Sequence, residues 1–164
     1  MAENLFLVPY DYPNFRRTVV DGIEVDESDY PDGFPTPTTE ADVLRVWGVR
    51  DGERNRTYFD QMNPGDGLLF YNQGAYRFAG SVGETFEHSW VANRFWGGAP
   101  SEMLYTVENF TRIQLPRGRL NDLLGYKKSS YPQGLQRVSD KKMNNLGQHY
   151  GSFGALFEKF TSKR

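Results

Sequence analysis

The sequence contains no cysteine and only two histidines among its 164 residues. The absence of cysteine excludes disulfides, thiol nucleophiles and cysteine-ligated zinc sites. The two histidines, His88 and His149, are far apart in the chain, and neither belongs to a recognisable metal-binding motif. We therefore predict that the protein has no metal site.

Catalytic motifs are missing as well. The sequence has no GxxxxGKS or GxxxxGKT phosphate loop, no HExxH and no GxSxG. Gly65-Asp66-Gly67 marks a turn, because no second glycine-rich element follows at the spacing of a dinucleotide-binding site. These absences predict a binding module with no catalytic residue and no cofactor.

Long apolar runs are also lacking. No stretch approaches the roughly 18 apolar residues of a membrane span, and the amino terminus has no basic segment leading into a hydrophobic one. A content of 38% hydrophobic and 15% aromatic residues argues against disorder. The length fits one domain over residues 1–164. We expect a cytoplasmic protein that makes no contact with a membrane.

Positive charge is scarce in the first quarter of the chain. Residues 1–42 carry ten acidic and two basic side chains, whereas residues 43–164 carry eleven acidic and seventeen basic ones. Much of the acidity lies in a proline-rich segment, residues 21–37, which we interpret as a loop insertion. The uneven distribution leaves nucleic-acid binding open despite a net charge of −2. Ordinary surface charge is the alternative explanation.

The stretch from Arg45 to Tyr71 organises the rest of the chain. A β-branched and aromatic run ends at Asp51-Gly52 and predicts a strand, and Arg54 to Met62 has helical spacing. Asn63-Pro64-Gly65-Asp66 predicts a reversal before a second strand, Leu68 to Tyr71. The sequence thus predicts a strand, helix, turn and strand in one compact unit.

The second half of the chain predicts further strands and helices. Asn72-Gln73-Gly74 indicates a tight hairpin, and Glu87 to Trp96 has helical spacing. Leu104 to Phe110 predicts one strand and Thr111 to Leu115 another. Ser139 and Ser152 are placed to cap two terminal helices.

Two stretches of the chain carry a family resemblance. One is MNPGDGLLFY with the YRFAGSVGE that follows it, and the other is VWGVRDGERNRTYFDQM. They resemble the PUA-like superfamily, in particular EVE domains and their YTH relatives. The resemblance implies an α+β fold, a small twisted β-barrel of about five to six strands with flanking helices. Several such domains are target-reading modules of modification-dependent restriction endonucleases of the McrBC or EVE-HNH type.

The resemblance also implies a pocket for a modified base. Trp47 corresponds to a strand-end tryptophan that forms one wall of this pocket in YTH domains, and Gly48 and Val49 follow it. Trp96 matches the second wall, with Trp90 as the alternative. A tryptophan followed by two glycines suits a wall beside a planar ligand, whereas one within a helix more often belongs to the core.

Asn14 corresponds to a residue near the pocket of EVE domains. It could hydrogen-bond a base edge, and a helix cap is the other reading of the same residue. The side chains predicted to contact the nucleic-acid backbone are basic residues near this pocket and in the basic segment that follows Pro116. They are Arg16, Arg17, Arg50, Arg54, Arg117, Arg119, Lys127, Lys128 and Arg137.

The function that the resemblance implies is recognition of a modified base, methyladenine or 5-substituted cytosine, in DNA. Flipping the base between aromatic faces would permit stacking, and a methyl group in an apolar niche would add selectivity. The expected partners are nucleic acid, with DNA ahead of RNA, and an attached nuclease or GTP-driven motor domain. The alternatives are an RNA methyladenosine reader, a PUA-like structural or interaction domain, and a small-molecule binder.

Overall fold

The structure is a computed structural model, and it describes residues 3–24, 27–35, 43–98 and 102–161. Six strands in these ranges form one mixed sheet in the order β2-β5-β4-β3-β1-β6. They are β1 (Leu5–Pro9), β2 (Val46–Val49), β3 (Gly67–Asn72), β4 (Ala75–Glu87), β5 (Met103–Pro116) and β6 (Gln136–Arg137). β1 runs parallel to β3 and antiparallel to β6.

Helices flank the strands in the described residues. They are α1 (Tyr12–Phe15), continued by a π-helix (Arg16–Val20), a 3₁₀ turn (Glu27–Asp29), α2 (Glu53–Phe59), α3 (Trp90–Phe95), α4 (Arg117–Leu124), α5 (Asp140–Gly147) and α6 (Phe153–Lys159). Ser139 and Ser152 accept hydrogen bonds from the first turns of α5 and α6, as predicted. The predicted α+β class, with about five to six strands and flanking helices, is confirmed.

The turn at Gly65-Asp66-Gly67 has a structural role. The Asp66 side chain is buried, and its carboxylate accepts a hydrogen bond of 3.0 Å from the backbone N–H of Asn4. The Gly67 N–H also donates to the Asn4 carbonyl. These bonds align the starts of β1 and β3, so Leu5 pairs with Gly67. Asp66 is therefore part of the fold.

The division of residues 104–115 into two strands is wrong. β5 is continuous over 14 residues. Asn109 adopts a left-handed conformation, with φ +53°, inside the strand. Asparagine tolerates this conformation better than most residues, so a local irregularity is absorbed without a turn. The sequence between Met103 and Pro116 contains no glycine or proline that would end the strand.

The helix predicted from Glu87 begins later than expected. Glu87 is the last residue of β4, and α3 starts at Trp90. The His88 Nδ1 atom accepts a hydrogen bond of 3.0 Å from the Trp90 backbone N–H. His88 therefore serves as an N-terminal cap, which satisfies one of the free N–H groups at the helix start.

The chain forms two compact units. Unit 1 comprises Met1–Tyr10, Gly65–Ser81 and Asn109–Arg164. Its core joins alternate residues of the strands to the apolar faces of α4, α5 and α6, and includes Leu5, Leu7, Leu69, Leu115, Leu120, Leu146 and Leu156. None of the helices in the described residues is long and apolar enough to cross a membrane.

Unit 2 comprises Asp11–Pro64 and Val82–Glu108. The Arg45 guanidinium donates to the carbonyls of Val19 and Val20 at the end of the π-helix. Ile23 forms an isolated antiparallel bridge with Leu44. These contacts hold the helix that begins at Tyr12 against the start of β2. The segment that precedes β2 is thereby tied to the strand that carries Trp47.

Candidate functional site

Three aromatic side chains of unit 2 form a corner, which we call the tryptophan corner: Phe15, Trp47 and Trp96. The Trp47 ring lies 5.1 Å from Phe15 and 5.4 Å from Trp96 between centroids. β2 positions Trp47, the helix that begins at Tyr12 positions Phe15, and Trp96 follows the last residue of α3. The structure therefore brings together the two tryptophans that the sequence predicted as pocket walls.

The two indoles meet edge to face. Their planes are inclined at 73°, and each side chain is 8% exposed. A base held between two parallel rings would need faces about 7 Å apart, twice the usual contact distance. The pair as it stands leaves no space for a base between the rings. It has the geometry of packed aromatic side chains, which edge-to-face contact favours.

Asn14 lies beside this corner. Its side-chain oxygen accepts a hydrogen bond of 3.1 Å from Arg17, and the same guanidinium nitrogen donates to the backbone carbonyl of Phe95, 3.4 Å away. Asn14 is thus connected to the residue that precedes Trp96. The helix cap is Asp11, whose carboxylate accepts from the Asn14 backbone N–H. The capping reading of Asn14 is therefore wrong.

Buried polar groups without partners concentrate in unit 2. Among the described residues, the Thr18 hydroxyl, the Trp96 indole N–H and the Tyr105 hydroxyl are buried and make no hydrogen bond. Tyr105 pairs directly with Trp47 across the β2–β5 ladder, so both side chains lie on one face of the sheet. A buried polar group without a partner costs about 1–3 kcal/mol. Such groups are rare in native structures, and a bound ligand is one explanation for them.

Sequence reasoning missed Thr18 and Tyr105. Thr18 is three residues after Phe15, on the same side of the helix. Tyr105 is one of ten tyrosines in the chain, and nothing in the residues around it sets it apart. Its position opposite Trp47 follows only from the register of two strands that are far apart in sequence.

Trp90, the alternative pocket wall, belongs to a different cluster. Its ring contacts Tyr30 at 5.7 Å, Phe34 at 5.0 Å and Phe95 at 5.7 Å. Trp90 therefore fixes the segment around Phe34 to α3 instead of facing Trp47. The residues after Trp47 are held in the β2–β5 ladder, with Gly48 opposite Leu104 and Val49 opposite Met103. Val49 is buried, and Gly48 is half-buried.

The predicted backbone-contacting cations divide between the two units. Unit 2 contains Arg16, Arg17, Arg50 and Arg54, and all four are exposed. Arg16 forms an ion pair with Asp21 at 3.5 Å, and the Arg54 guanidinium lies over the Tyr58 ring at 5.7 Å. Exposed ion pairs of this kind are worth less than about 1 kcal/mol, so Arg16 can exchange its partner for a phosphate.

Unit 1 contains the other five cations: Arg117, Arg119, Lys127, Lys128 and Arg137. Arg137 is engaged by Asp140 at 2.9 Å and by the Asn4 side chain at 3.2 Å. Arg117 and Arg119 lie over the rings of Tyr131 and Phe160. Lys127 and Lys128 are exposed. The two lysines are therefore placed to meet phosphate without breaking a structural contact.

The charges of the two units are opposite. By sequence, unit 1 carries twelve Lys and Arg against five Asp and Glu, and unit 2 carries seven against sixteen. The difference in net charge between unit 1 and unit 2 is larger than that between residues 1–42 and residues 43–164. Clustered positive charge attracts a phosphate backbone whatever the net charge of the protein. Electrostatics therefore favours unit 1 as the surface for a polyanion.

The described residues form no candidate metal site. No group of three or more His, Asp and Glu side chains among them is close enough to hold an ion. His88 is used as a helix cap through Nδ1, and His149 is exposed at the end of α5. The tryptophan corner is built from neutral side chains, which suits an uncharged planar ligand.

The buried hydroxyl of Tyr105 predicts a loss of stability at alkaline pH. Burial raises the pKa of Tyr105 well above the ordinary tyrosine value of about 10. Above pH ~10 the unfolded chain releases this proton while the folded chain retains it, so the free energy of unfolding falls by up to about 1.4 kcal/mol per pH unit. Urea unfolding at a series of pH values measures this slope. Tyr105→Phe should flatten it, and an unchanged slope in the variant would contradict the assignment.

Sequence comparison finds no matching family model and no matching curated protein. Among solved structures, the N-terminal domain of Thermococcus gammatolerans McrB, bound to m5C DNA, has a TM-score of 0.67 at 22% identity. The match covers 89% of this chain and 96% of that domain. A variant of the Zymomonas mobilis ASCH protein has a TM-score of 0.50 at 10% identity, covering 88% of this chain and 94% of that one.

Human THYN1, in complex with DNA containing 5-methylcytosine, has a TM-score of 0.45 at 12% identity, over 87% of this chain and 94% of that one. The match to the McrB domain extends over nearly the whole length of both chains. At 22% identity, what the two chains share is the fold. This chain therefore has a PUA-like fold of the EVE type, as the resemblance in its sequence implied.

Proposed function

We propose that this chain is a DNA-binding module that recognises a modified cytosine by flipping it into the tryptophan corner. The observation that carries the proposal is the buried indole N–H of Trp96, which has no acceptor among the described residues and is part of the contact with Trp47. Cytosine offers acceptors on its Watson–Crick edge, so a flipped base could satisfy this donor. The fold likeness to a domain bound to m5C DNA makes 5-methylcytosine the first ligand to test.

Entry of a base requires the edge-to-face pair to open. Trp96 is followed by Gly97 and Gly98, both with positive φ, at +66° and +82°. Glycine adopts this conformation without strain, so the chain after Trp96 can rotate at low cost. Reorienting the Trp96 indole would place one aromatic face against the base while Phe15 continues to support Trp47. Stacking on such a face is worth about 1–3 kcal/mol per base.

Discrimination between cytosine and its modified form needs more than stacking. A methyl group buried in an apolar niche contributes about 0.8 kcal/mol, which is less than a tenfold preference. Hydrogen bonds from Trp96, Tyr105 and Asn14 would select cytosine against the other bases, because a wrong base leaves these polar groups unpaired. Cytosine and 5-methylcytosine share the same hydrogen-bonding edge, so the fit of the methyl group has to separate the two. The module therefore combines a modest preference for the methyl group with hydrogen bonds that position the base.

We further propose that the module directs a nuclease to modified DNA. The chain shares its fold with a domain named as part of McrB, and its sequence resembles the targeting domains of such systems. Nothing in the tryptophan corner suggests phosphodiester chemistry, since it contains no carboxylate or histidine. Incubation of the isolated chain with modified plasmid and magnesium should give no cleavage. Reproducible nicking that a point substitution removes would contradict this part of the proposal.

The opening of the tryptophan pair provides a direct test of binding. Two indoles at 5.4 Å couple electronically through their strong transition and should give an exciton couplet in the far-ultraviolet circular dichroism spectrum. A duplex with one 5-methylcytosine should remove that signal, whereas the unmodified duplex should not. A duplex with 2-aminopurine next to the modified base should brighten on binding, because flipping unstacks it. An unchanged dichroism signal at saturating modified duplex would show that the base does not enter the corner.

Phosphate contacts in unit 1 predict a salt effect. Exchanging Lys127 and Lys128 for Glu should weaken binding to modified and unmodified duplexes alike, because phosphate contacts carry no base information. The slope of log affinity against log salt should fall by about two, roughly one for each lost contact. A matched control exchanges Lys141 and Lys159, which are also exposed in unit 1. Equal slopes for the two double variants would remove the Lys127–Lys128 loop from the interface.

A further inference from the structure

Unit 1 contains a cavity, and none of its lining residues belongs to the tryptophan corner. Its volume is about 280 Å³, just below the ~300 Å³ lower limit of typical small-molecule sites. All of its lining residues belong to unit 1, and they come from β1, β4, α4 and the segment between α4 and α5. The cavity has the size for a single base or a nucleoside.

Three tyrosines give the cavity its aromatic lining: Tyr76, Tyr126 and Tyr131. Tyr131 is 49% exposed and stacks on Tyr71 with ring centroids 5.8 Å apart and an angle of 16°. The Tyr131 ring is thus held by its contact with Tyr71 and by the Arg117 guanidinium 5.8 Å from its centroid, and half of the side chain remains exposed. Such a ring is a stacking platform for a base, since every base has a π face.

The polar lining is uncharged and mixed. The Tyr76 side chain is 0% exposed, and its hydroxyl has no hydrogen-bond partner among the described residues. Asn121 uses its amide group to donate to the carbonyls of Lys128 and Ser130, at 2.9 and 2.8 Å. Ser129, Ser130 and Gln133 add further donors and acceptors to the lining. No carboxylate, lysine or arginine is part of it.

These features select one ligand chemistry. An uncharged lining excludes a metal ion or a bare phosphate as the buried group, because a buried charge needs a partner of opposite sign. Mixed donors and acceptors beside aromatic faces match the edge and the face of a nucleobase. The rim is positive: Lys127 and Lys128 immediately precede Ser129, and the Arg117 guanidinium lies 5.8 Å from the Tyr131 ring centroid.

We propose that this cavity binds one nucleotide, with the base inside against Tyr131 and Tyr76 and the phosphate at the rim beside Lys127, Lys128 and Arg117. The nucleotide is a free nucleoside monophosphate or one unit of a single strand, since both offer the same base and phosphate. Asn121 acts as a positioning residue, because it holds the Lys128 and Ser130 backbone at the cavity. The site is independent of the modified-base pocket proposed for unit 2.

Calorimetric titration of the full chain tests the proposal. The ligands are the four deoxynucleoside 5′-monophosphates, the matching nucleosides and deoxyribose 5-phosphate. At least one monophosphate should bind, its nucleoside should bind more weakly, and the sugar phosphate should not bind. Binding by none of the monophosphates, or equal binding by the sugar phosphate, would overturn the proposal.

Variants locate the site. Tyr131→Ala should weaken monophosphate binding roughly tenfold through the loss of stacking. Tyr76→Phe, which removes only the unpartnered hydroxyl, should weaken it about fivefold without lowering stability. Tyr12→Ala is the matched control, because Tyr12 is 46% exposed in unit 2 and does not line the cavity. Wild-type affinity in both cavity variants, or an equal loss in the control, would place the ligand elsewhere.

A competition arm separates the two sources of nucleotide. A short single strand that displaces the monophosphate and binds more tightly identifies a strand as the source, whereas a strand that does not compete identifies the free nucleotide. Trp96→Phe separates this proposal from the proposed function. Monophosphate binding should be unchanged in that variant even if recognition of 5-methylcytosine is lost, and its loss in that variant would contradict an independent site in unit 1.

Discussion

Trp96→Phe is expected to weaken binding to a duplex that contains 5-methylcytosine by roughly tenfold to a hundredfold. Phenylalanine keeps an aromatic face but removes the indole N–H, which is buried without a partner among the described residues. A flipped base would then leave one of its acceptors unpaired, at a cost of about 1–3 kcal/mol. Titration of the modified duplex into wild type and variant measures the affinity directly.

The matched control for this experiment is Trp90→Phe. Trp90 starts the same helix, six positions before Trp96, but it packs with Tyr30 and Phe34. Its substitution should leave the affinity for the modified duplex unchanged. Phe is chosen over Ala because removing a buried tryptophan entirely would cost about 3–5 kcal/mol of stability. A Trp96→Phe protein with normal affinity, or a Trp90→Phe protein that loses it, would show that the tryptophan corner is not the binding site.

Gly22→Ala is expected to give the largest loss of stability among the substitutions considered. Gly22 has φ +81°, and a Cβ atom there would overlap Val43 Cγ1. The left-handed conformation costs about 1–2 kcal/mol for a residue with a side chain, and the overlap adds about 1–3 kcal/mol more. The substitution would disturb the bridge between Ile23 and Leu44, which is next to the strand that carries Trp47. Urea unfolding gives the free energy.

Gly33→Ala is the control for Gly22→Ala. Gly33 has φ +78°, but a Cβ atom added there would meet nothing within 4 Å. Gly33→Ala should therefore lower the free energy of unfolding only by the cost of the left-handed conformation, about 1–2 kcal/mol. The difference between the two variants isolates the contact with Val43. Equal losses would mean that Val43 moves aside freely and that the start of β2 is not held as closely as the structure indicates.

Local patterns in the sequence predicted most of the helices and strands. Residue type and turn residues located β2, the β3–β4 hairpin and the caps at Ser139 and Ser152, because these features depend on neighbours in the chain. Errors arose where a tertiary contact overrode a local preference. Glu87 continues a strand that pairs within the sheet, and Asn109 takes a left-handed conformation without ending β5.

The candidate site was predictable in part. The sequence identified Trp47 and Trp96 through family resemblance, and the structure places their rings in contact. It did not identify Tyr105, whose relation to Trp47 depends on strand register, or the cavity around Tyr76 and Tyr131. Tyr105 and Trp47 lie on two strands that are far apart in sequence, and residues of several separate segments line the cavity. No local pattern encodes them.

The sequence alone determined the α+β composition, the strand and helix order and the uneven charge, since each of these depends on residue type and spacing along the chain. Only the tertiary structure decided which side chains meet. It put Trp90 with Phe34 and Trp96 with Trp47, and it separated a basic unit 1 from an acidic unit 2. The physical reason is that burial, register and packing are set by contacts between distant segments, whereas propensity acts between neighbours.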